Sequence, residues 1–257
     1  MPFFSYIILI SAFFLFCFIK ELLQPLSAKN RLYLWVKITM GINQKERFSA
    51  LSHFIGIIVG LGGLILLQIM SDGRFDLQIV SLIYSLCAIF LFSASVLYHI
   101  KKKADDEVTF WRKLDHLAIF FMIAGTYTVI SYIHLIGYWK IGIISAQWIL
   151  VFLGVAFKFL WLRAPRIFST AIYLLMGWMA LLPIRELVIS MSVAEICFLF
   201  LGAFFYSTGA IIYAFKKPDI FPNRIGFHGL FHVFILLGGF MHFMCVAVSI
   251  NNCTNFF

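Results

Sequence analysis

The 257-residue chain is 63% hydrophobic and 12% charged, with a mean hydropathy of +0.99 and a formal net charge of +9. Charged residues make up about a quarter of a soluble domain, so this composition excludes one. In a polytopic membrane protein an excess of lysine and arginine marks cytoplasmic loops and anionic headgroups, so no nucleic-acid partner is implied.

A helix needs about 20 apolar residues to cross roughly 30 Å of hydrocarbon, and helices are the economical way to satisfy backbone that faces lipid. Taken in chain order, the apolar runs predict a leading span at 3–19 and then seven more, at 48–70, 79–100, 114–135, 140–161, 167–184, 194–215 and 227–250. The connections are short and polar, and no Pro/Ser-rich linker separates a second domain. The fold class expected is therefore an all-α integral membrane protein, a seven-transmembrane helix bundle with an additional N-terminal hydrophobic helix. Residues 1–45 would form an anchor and basic linker, and residues 46–257 the seven-helix domain.

The leading span, Phe3 to Ile19, has no basic residue before it, has Lys20 directly after it, and lacks a small-residue cleavage site. These features favour a retained anchor with its N-terminus outside over a cleaved signal peptide. Residues 27–45 then mix Lys29, Arg31 and Lys37 with Leu32, Trp35, Val36 and Ile38, a pattern that suits either the surface of the inner leaflet or a solvated linker.

Basic residues orient the seven later spans. Lys20, Lys29, Arg31, Lys37, Lys45 and Arg47 precede the first. Lys101, Lys102, Lys103, Arg112 and Lys113 follow the second, Lys158, Arg163 and Arg166 lie between the fourth and fifth, and Lys216, Lys217 and Arg224 between the sixth and seventh. Only Arg74, Lys140 and Arg185 fall in the alternate loops, so 17 of the 20 basic residues lie on one side. The positive-inside rule then puts residues 20–47 in the cytoplasm and the C-terminus outside. The five cysteines (Cys17, Cys87, Cys197, Cys245, Cys253) are scattered and form no C-x-x-C pair, which argues for small buried hydrophobes rather than a disulfide framework or thiolate zinc.

With this orientation the polar residues of the spans converge. Ser95 and His99 lie four apart, about 40° around a helix and 6 Å along it, at the cytoplasmic end of the second span. Asp115 opens the third at the same surface. His228 and His232 share one face at the start of the seventh. Three neutral imidazoles and a water are a usual ligand set for catalytic zinc, with metal–nitrogen distances around 2.0–2.1 Å. Asp115 would orient the water or take its proton, and the Ser95 hydroxyl would donate to a developing oxyanion. A lone histidine in a membrane helix is ordinarily an interhelical hydrogen-bond donor, but four such groups at one depth are hard to explain by packing.

The other histidines point elsewhere. His116 follows Asp115 and turns about 100° away, His242 lies roughly 15 Å beyond His232, and His134 falls at the far end of its span, so all three read as structural or interfacial. His53, with Glu46 and Ser49 just before it, lies near the cytoplasmic side of the first span, where the three form a possible outer shell to the metal. Gly56, Gly60 and Gly63 continue the His53 face as a smooth packing stripe.

Four segments in fixed order carry a family resemblance: Glu46 to His53 (ERFSALSH), Ser95 to His99 (SVLYH), Lys113 to Ile119 (KLDHLAI) with Ala124 to Thr128 (AGTYT), and His228 to His232 (HGLFH) with Leu236-Leu237-Gly238. Over residues 46–250 the chain resembles the hemolysin III branch of the progestin and adipoQ receptor superfamily. The resemblance implies seven transmembrane helices with a cytoplasmic N-terminal side, placed in a bacterial inner membrane. It also implies a zinc near the cytoplasmic leaflet held by His99, His228 and His232, with Asp115 and Ser95 around its water. Two features depart from the family: Ser49 stands where asparagine is usual, and the leading hydrophobic segment is extra.

Two functions follow from different classes. One is a zinc-dependent hydrolase of a lipid amide or ester, similar to the ceramidase activity attributed to receptors of the superfamily, its substrate drawn from the inner leaflet. The other is non-enzymatic, a sensor of membrane state with structural zinc or a pore-forming cytolysin. A constitutive pore needs a continuous polar stripe, and the outer halves of two spans, Ile79–Phe92 and Phe234–Val248, offer few polar residues.

Overall fold

The computed structural model describes residues 44–102, 109–160, 165–220 and 225–254. The expected leading span at 3–19, Cys17 and nearly all of the 27–45 stretch lie outside the described residues, as do Lys103, Arg163 and Arg224. The described residues are helical, with no strand among them: α1 (Gln44–Met70), α2 (Phe75–Lys101), α3 (Phe110–His134), α4 (Gly137–Leu160), α5 (Arg166–Gly177), a 3-10 turn (Trp178–Leu181), α6 (Ile184–Ser190), α7 (Val193–Phe215) and α8 (Gly226–Thr254). Six helices are long and apolar enough to cross a membrane, and a seventh crossing is made if α5, the turn and α6 count as one broken span. The chain is an all-α, multi-pass membrane protein.

Local chemistry sets the joints. Between α1 and α2 the chain reverses at Gly73, whose φ of +76° suits a residue without Cβ, while Asp72 Oδ1 accepts the Gly73 N–H at 3.0 Å. Thr109 caps α3 by accepting from the Arg112 N–H. α7 starts with a reciprocal capping box, in which Ser192 Oγ accepts from Glu195 N–H and the Glu195 carboxylate accepts from Ser192 N–H.

One predicted span is not a single helix. Where the sequence pattern predicts an unbroken run over 167–184, the chain bends by 57° between the segments on either side of Pro183. Proline has no N–H to continue the ladder, and the preceding turn tightens to 3-10 geometry. Irregular backbone at membrane depth must find other partners. Here Tyr127 of α3 supplies two, its hydroxyl donating to Gly177 O and accepting from Ala180 N–H, each at 2.7 Å. Gln147 of α4 donates to Met176 O at 2.9 Å.

Between helices immersed in lipid, burying apolar area adds little, so close backbone approach decides the packing. α2 is the most enclosed helix, buried from Leu77 to His99 and packed between α1 and α3. α8 packs on α7, α1 and α3, which closes the bundle. The glycine stripe of α1 serves that closure: a Cβ at Gly56 would stand 2.8 Å from the Phe92 ring of α2 and 3.1 Å from Leu236 of α8. The ends of α1, α2, α3 and α8 meet at one pole of the bundle.

Candidate metal centre

At that pole the last turn of α2 brings His99 against the first turns of α8. The Nε2 atoms of His99, His228 and His232 form a triangle with sides of 3.1, 3.2 and 3.2 Å. His99 and His232 are each 1% exposed. Gly229 lies between the two histidines of α8, and a Cβ there would meet Ile225 and the Phe48 ring of α1 at 2.6 and 2.9 Å, so glycine lets α1 close over the site.

Glu46, in the first turn of α1, completes the arrangement. The His99 Nδ1–H donates to Glu46 Oε2 at 2.5 Å, and Lys102 Nζ donates to the other carboxylate oxygen at 2.5 Å. The carboxylate thus fixes the His99 tautomer and leaves the Nε2 lone pair facing the triangle. Three neutral imidazoles cannot hydrogen-bond along all three edges. Whichever tautomers are chosen, one edge sets lone pair against lone pair or proton against proton, inside a protein where an unpaired polar group costs about 1–3 kcal/mol. A single cation removes the conflict. Tetrahedral bonds of 2.0–2.1 Å place ligand nitrogens about 3.3 Å apart, close to the observed sides. The residues present fit a metal ion, and the three histidines form a group able to hold one.

The remaining predicted residues surround this triangle. His53 of α1 is 3% exposed, and its ring lies against His232, tilted by 39° with centroids 3.9 Å apart. Ser49 is buried one turn earlier, and among the described residues no hydrogen bond links it to the histidines. Ser95 is 1% exposed, and its hydroxyl faces the Asp115 carboxylate of α3. Ser95 and Asp115 share the wall of one cavity with His228 and His232. Asp115 does not open its helix as the sequence pattern predicts. α3 begins at Phe110, so Asp115 sits more than a turn inside.

The cavity extends far beyond the histidines. Its wall on α3 runs from Asp115 to Leu135, about 30 Å at 1.5 Å per residue, and is completed by α2, α5, α6, α7 and α8. Apolar side chains such as Ile119, Met122, Ile123, Ile130 and Leu187 dominate it. Trp178, Leu181 and Phe200 line it and are 39%, 50% and 41% exposed, so the 3-10 turn and α7 form a thinly covered part of the wall.

Two polar groupings were not expected. Lys158, read from the sequence as a loop charge, is 8% exposed in the last turn of α4. It donates to Ser169 Oγ at 2.7 Å and lies 3.3 Å from His116 Nδ1, while His116 Nε2 lies 3.3 Å from the Tyr213 hydroxyl. The available signal was its position inside the predicted span 140–161. His116 borders the cavity beside Asp115, and His242 lines it deeper down, so neither is merely interfacial. At the opposite pole, His134 Nε2 lies 2.9 Å from Ser249 Oγ and 3.3 Å from Glu195 Oε1, which joins α3, α7 and α8.

Comparison with known proteins bears on the same residues. The family model described as Haemolysin-III related matches residues 41–243, a stretch that holds every group of the triangle and its surroundings. The Hemolysin-3 homolog of Bacillus subtilis (strain 168) is 33% identical over 207 residues, covering 79% of this chain and 93% of that protein. Hemolysin-3 of Bacillus cereus is 31% identical over 205 residues, covering 79% and 90%.

Proposed function

The chain belongs to the haemolysin III family, and from that premise we propose that it is a zinc-dependent hydrolase of a lipid amide or ester, acting on lipid drawn from the inner leaflet of a bacterial plasma membrane. One observation carries the reading: a triangle of imidazole nitrogens opens onto a long, mostly apolar cavity, with a carboxylate and a neighbouring hydroxyl on the adjoining wall. That combination suits a lipid whose chain fills the cavity and whose carbonyl reaches the triangle.

His99, His228 and His232 would hold the ion. Zinc there would supply Lewis acidity towards a carbonyl and make a water more acidic near neutral pH. Asp115 takes the proton of the attacking water and returns it to the departing amine or alcohol. The Ser95 hydroxyl donates to the carbonyl oxygen as negative charge develops there. Glu46 keeps His99 in its metal-ready tautomer. The thin wall at Trp178 and Phe200 offers the chain a lateral route from the bilayer. The 17-to-3 partition of basic residues supports a cytoplasmic triangle, and a reporter fused after Phe257 should read as external; a cytoplasmic signal would invert the assignment.

The test is Asp115→Asn. It should retain zinc, because Asp115 is not a ligand, and should lower fatty-acid release from ceramides and lysolipids by about 10²–10⁴-fold. A zinc-loaded wild type that turns over no lipid of such a panel would remove the hydrolase reading. The names of the Bacillus relatives favour a second reading, membrane lysis. A constitutive pore requires a continuous polar lining, whereas this cavity is mostly apolar between its polar groups. Equal dye release from liposomes by wild type and Asp115→Asn would establish lysis apart from hydrolysis.

A further inference from the structure

About 15 Å along α8 from His232, roughly twelve carbons of an extended chain, the apolar cavity carries an isolated polar pair. His242 of α8 and Tyr206 of α7 both line the cavity, their rings edge to face with centroids 5.2 Å apart. His242 Nε2–H donates to Leu199 O at 3.3 Å. That bond leaves Nδ1 as an acceptor, and Nδ1 is buried without a hydrogen-bond partner among the described residues. The Tyr206 hydroxyl is likewise buried and without a hydrogen-bond partner among the described residues, 3.3 Å from the place a Cβ on Gly239 would occupy.

A partnerless donor beside a partnerless acceptor, at mid-depth in a bilayer, is costly when nothing joins them. Packing does not require either polar atom: phenylalanine at 206 would fill the same space. A hydroxyl is the simple ligand group that carries the complement of each. It accepts from Tyr206 O–H and donates to His242 Nδ1, whereas a methylene satisfies neither.

We propose that Tyr206 and His242 form a subsite for a hydroxyl group carried well down an acyl chain, so that the cavity selects mid-chain hydroxylated lipids over plain ones. The subsite rests on the lipid reading of the cavity given above. Its position also excludes the alternatives within one chain: a hydroxyl next to the carboxyl carbon lies beside the histidine triangle, and one near the chain terminus passes beyond His242 towards Leu135 and Leu187.

The experiment measures binding, independently of turnover. Purified zinc-loaded protein in lipid nanodiscs is titrated with stearate, 2-hydroxystearate and 12-hydroxystearate, each displacing a fluorescent fatty acid. The expected result is about tenfold tighter binding of 12-hydroxystearate than of the other two. Tyr206→Phe and His242→Leu should each bring that preference close to unity, whatever either change does to the affinity for stearate itself. Zinc content and melting temperature verify folding. Tyr206→Phe decides alone if His242→Leu fails to fold, because the lost hydroxyl had no partner in the protein. Equal binding of all three acids by wild type overturns the subsite and spares the lipid cavity. A preference that survives in the double variant overturns the assignment to these two residues. Failure of every acid to displace the probe overturns the lipid reading itself, and the subsite with it.

Discussion

At one pole of the bundle His134 meets a hydroxyl and a carboxylate, Ser249 at 2.9 Å and Glu195 at 3.3 Å. At the other, three imidazoles turn their Nε2 atoms on one another at 3.1–3.2 Å. The first joins three helices and the second two, α2 and α8, and both are buried. The difference lies in donor–acceptor balance. The His134 cluster pairs a ring nitrogen with groups that complement it, so it can be complete as a hydrogen-bonded fastening. The histidine triangle has an excess of like groups, which a bound cation would reconcile. Residue type alone does not separate the two, because the partner of each ring nitrogen decides its role.

The largest effect that would break this comparison is at the triangle. His228→Ala with His232→Ala should abolish metal binding and lower the melting temperature. At a free metal concentration a hundredfold above Kd, binding confined to the folded state contributes about 2.7 kcal/mol, all of which the variant forfeits. Full zinc content in the double variant, read by elemental analysis, would refute the assignment. A smaller loss is expected one step out. Glu46→Gln should weaken zinc about 10–100-fold in a chelator competition, since the amide orients His99 less firmly; unchanged affinity would reduce Glu46 to a surface partner of Lys102. The smallest effect sharpens the contrast from the other pole. Glu195→Gln should cost about 1–3 kcal/mol in thermal or denaturant unfolding and leave zinc stoichiometry intact. Loss of metal in that variant would show that the two poles are coupled and not separate.

Much of this was readable in the chain before any coordinates. Hydropathy runs gave the helices with ends displaced by a few residues, and the i, i+4 spacings of Ser95 with His99 and of His228 with His232 gave faces. Convergence of those faces followed from counting basic residues, which relates the ends of helices far apart in sequence. The broken fifth span was less legible, since an apolar run conceals a proline whose freed backbone is satisfied by Tyr127, fifty residues earlier. Lys158 was misread for a similar reason: charge suggests a loop, and its burial depends on Ser169 and His116 from other helices. The cavity was not legible at all. Ile119, Met122 and Ile123 have the composition of any lipid-facing wall, and the hollow beside them depends on how separate helices are arranged, which hydropathy does not report.

The Tyr127 bridge also bears on how the protein is made. One phenolic oxygen meets both the Gly177 carbonyl and the Ala180 amide, and in hydrocarbon each of those groups left alone costs several kcal/mol. The segment from 166 to 190 is therefore a poor candidate for independent insertion: its break is tolerable only once α3 stands beside it. Synthesis from the N-terminus meets that condition, because α3 leaves the ribosome first. Circular permutants that place residues 166–190 ahead of α3 should reverse the order and insert this segment inefficiently, a defect of biogenesis visible in glycosylation-site mapping even where the finished bundle would be stable.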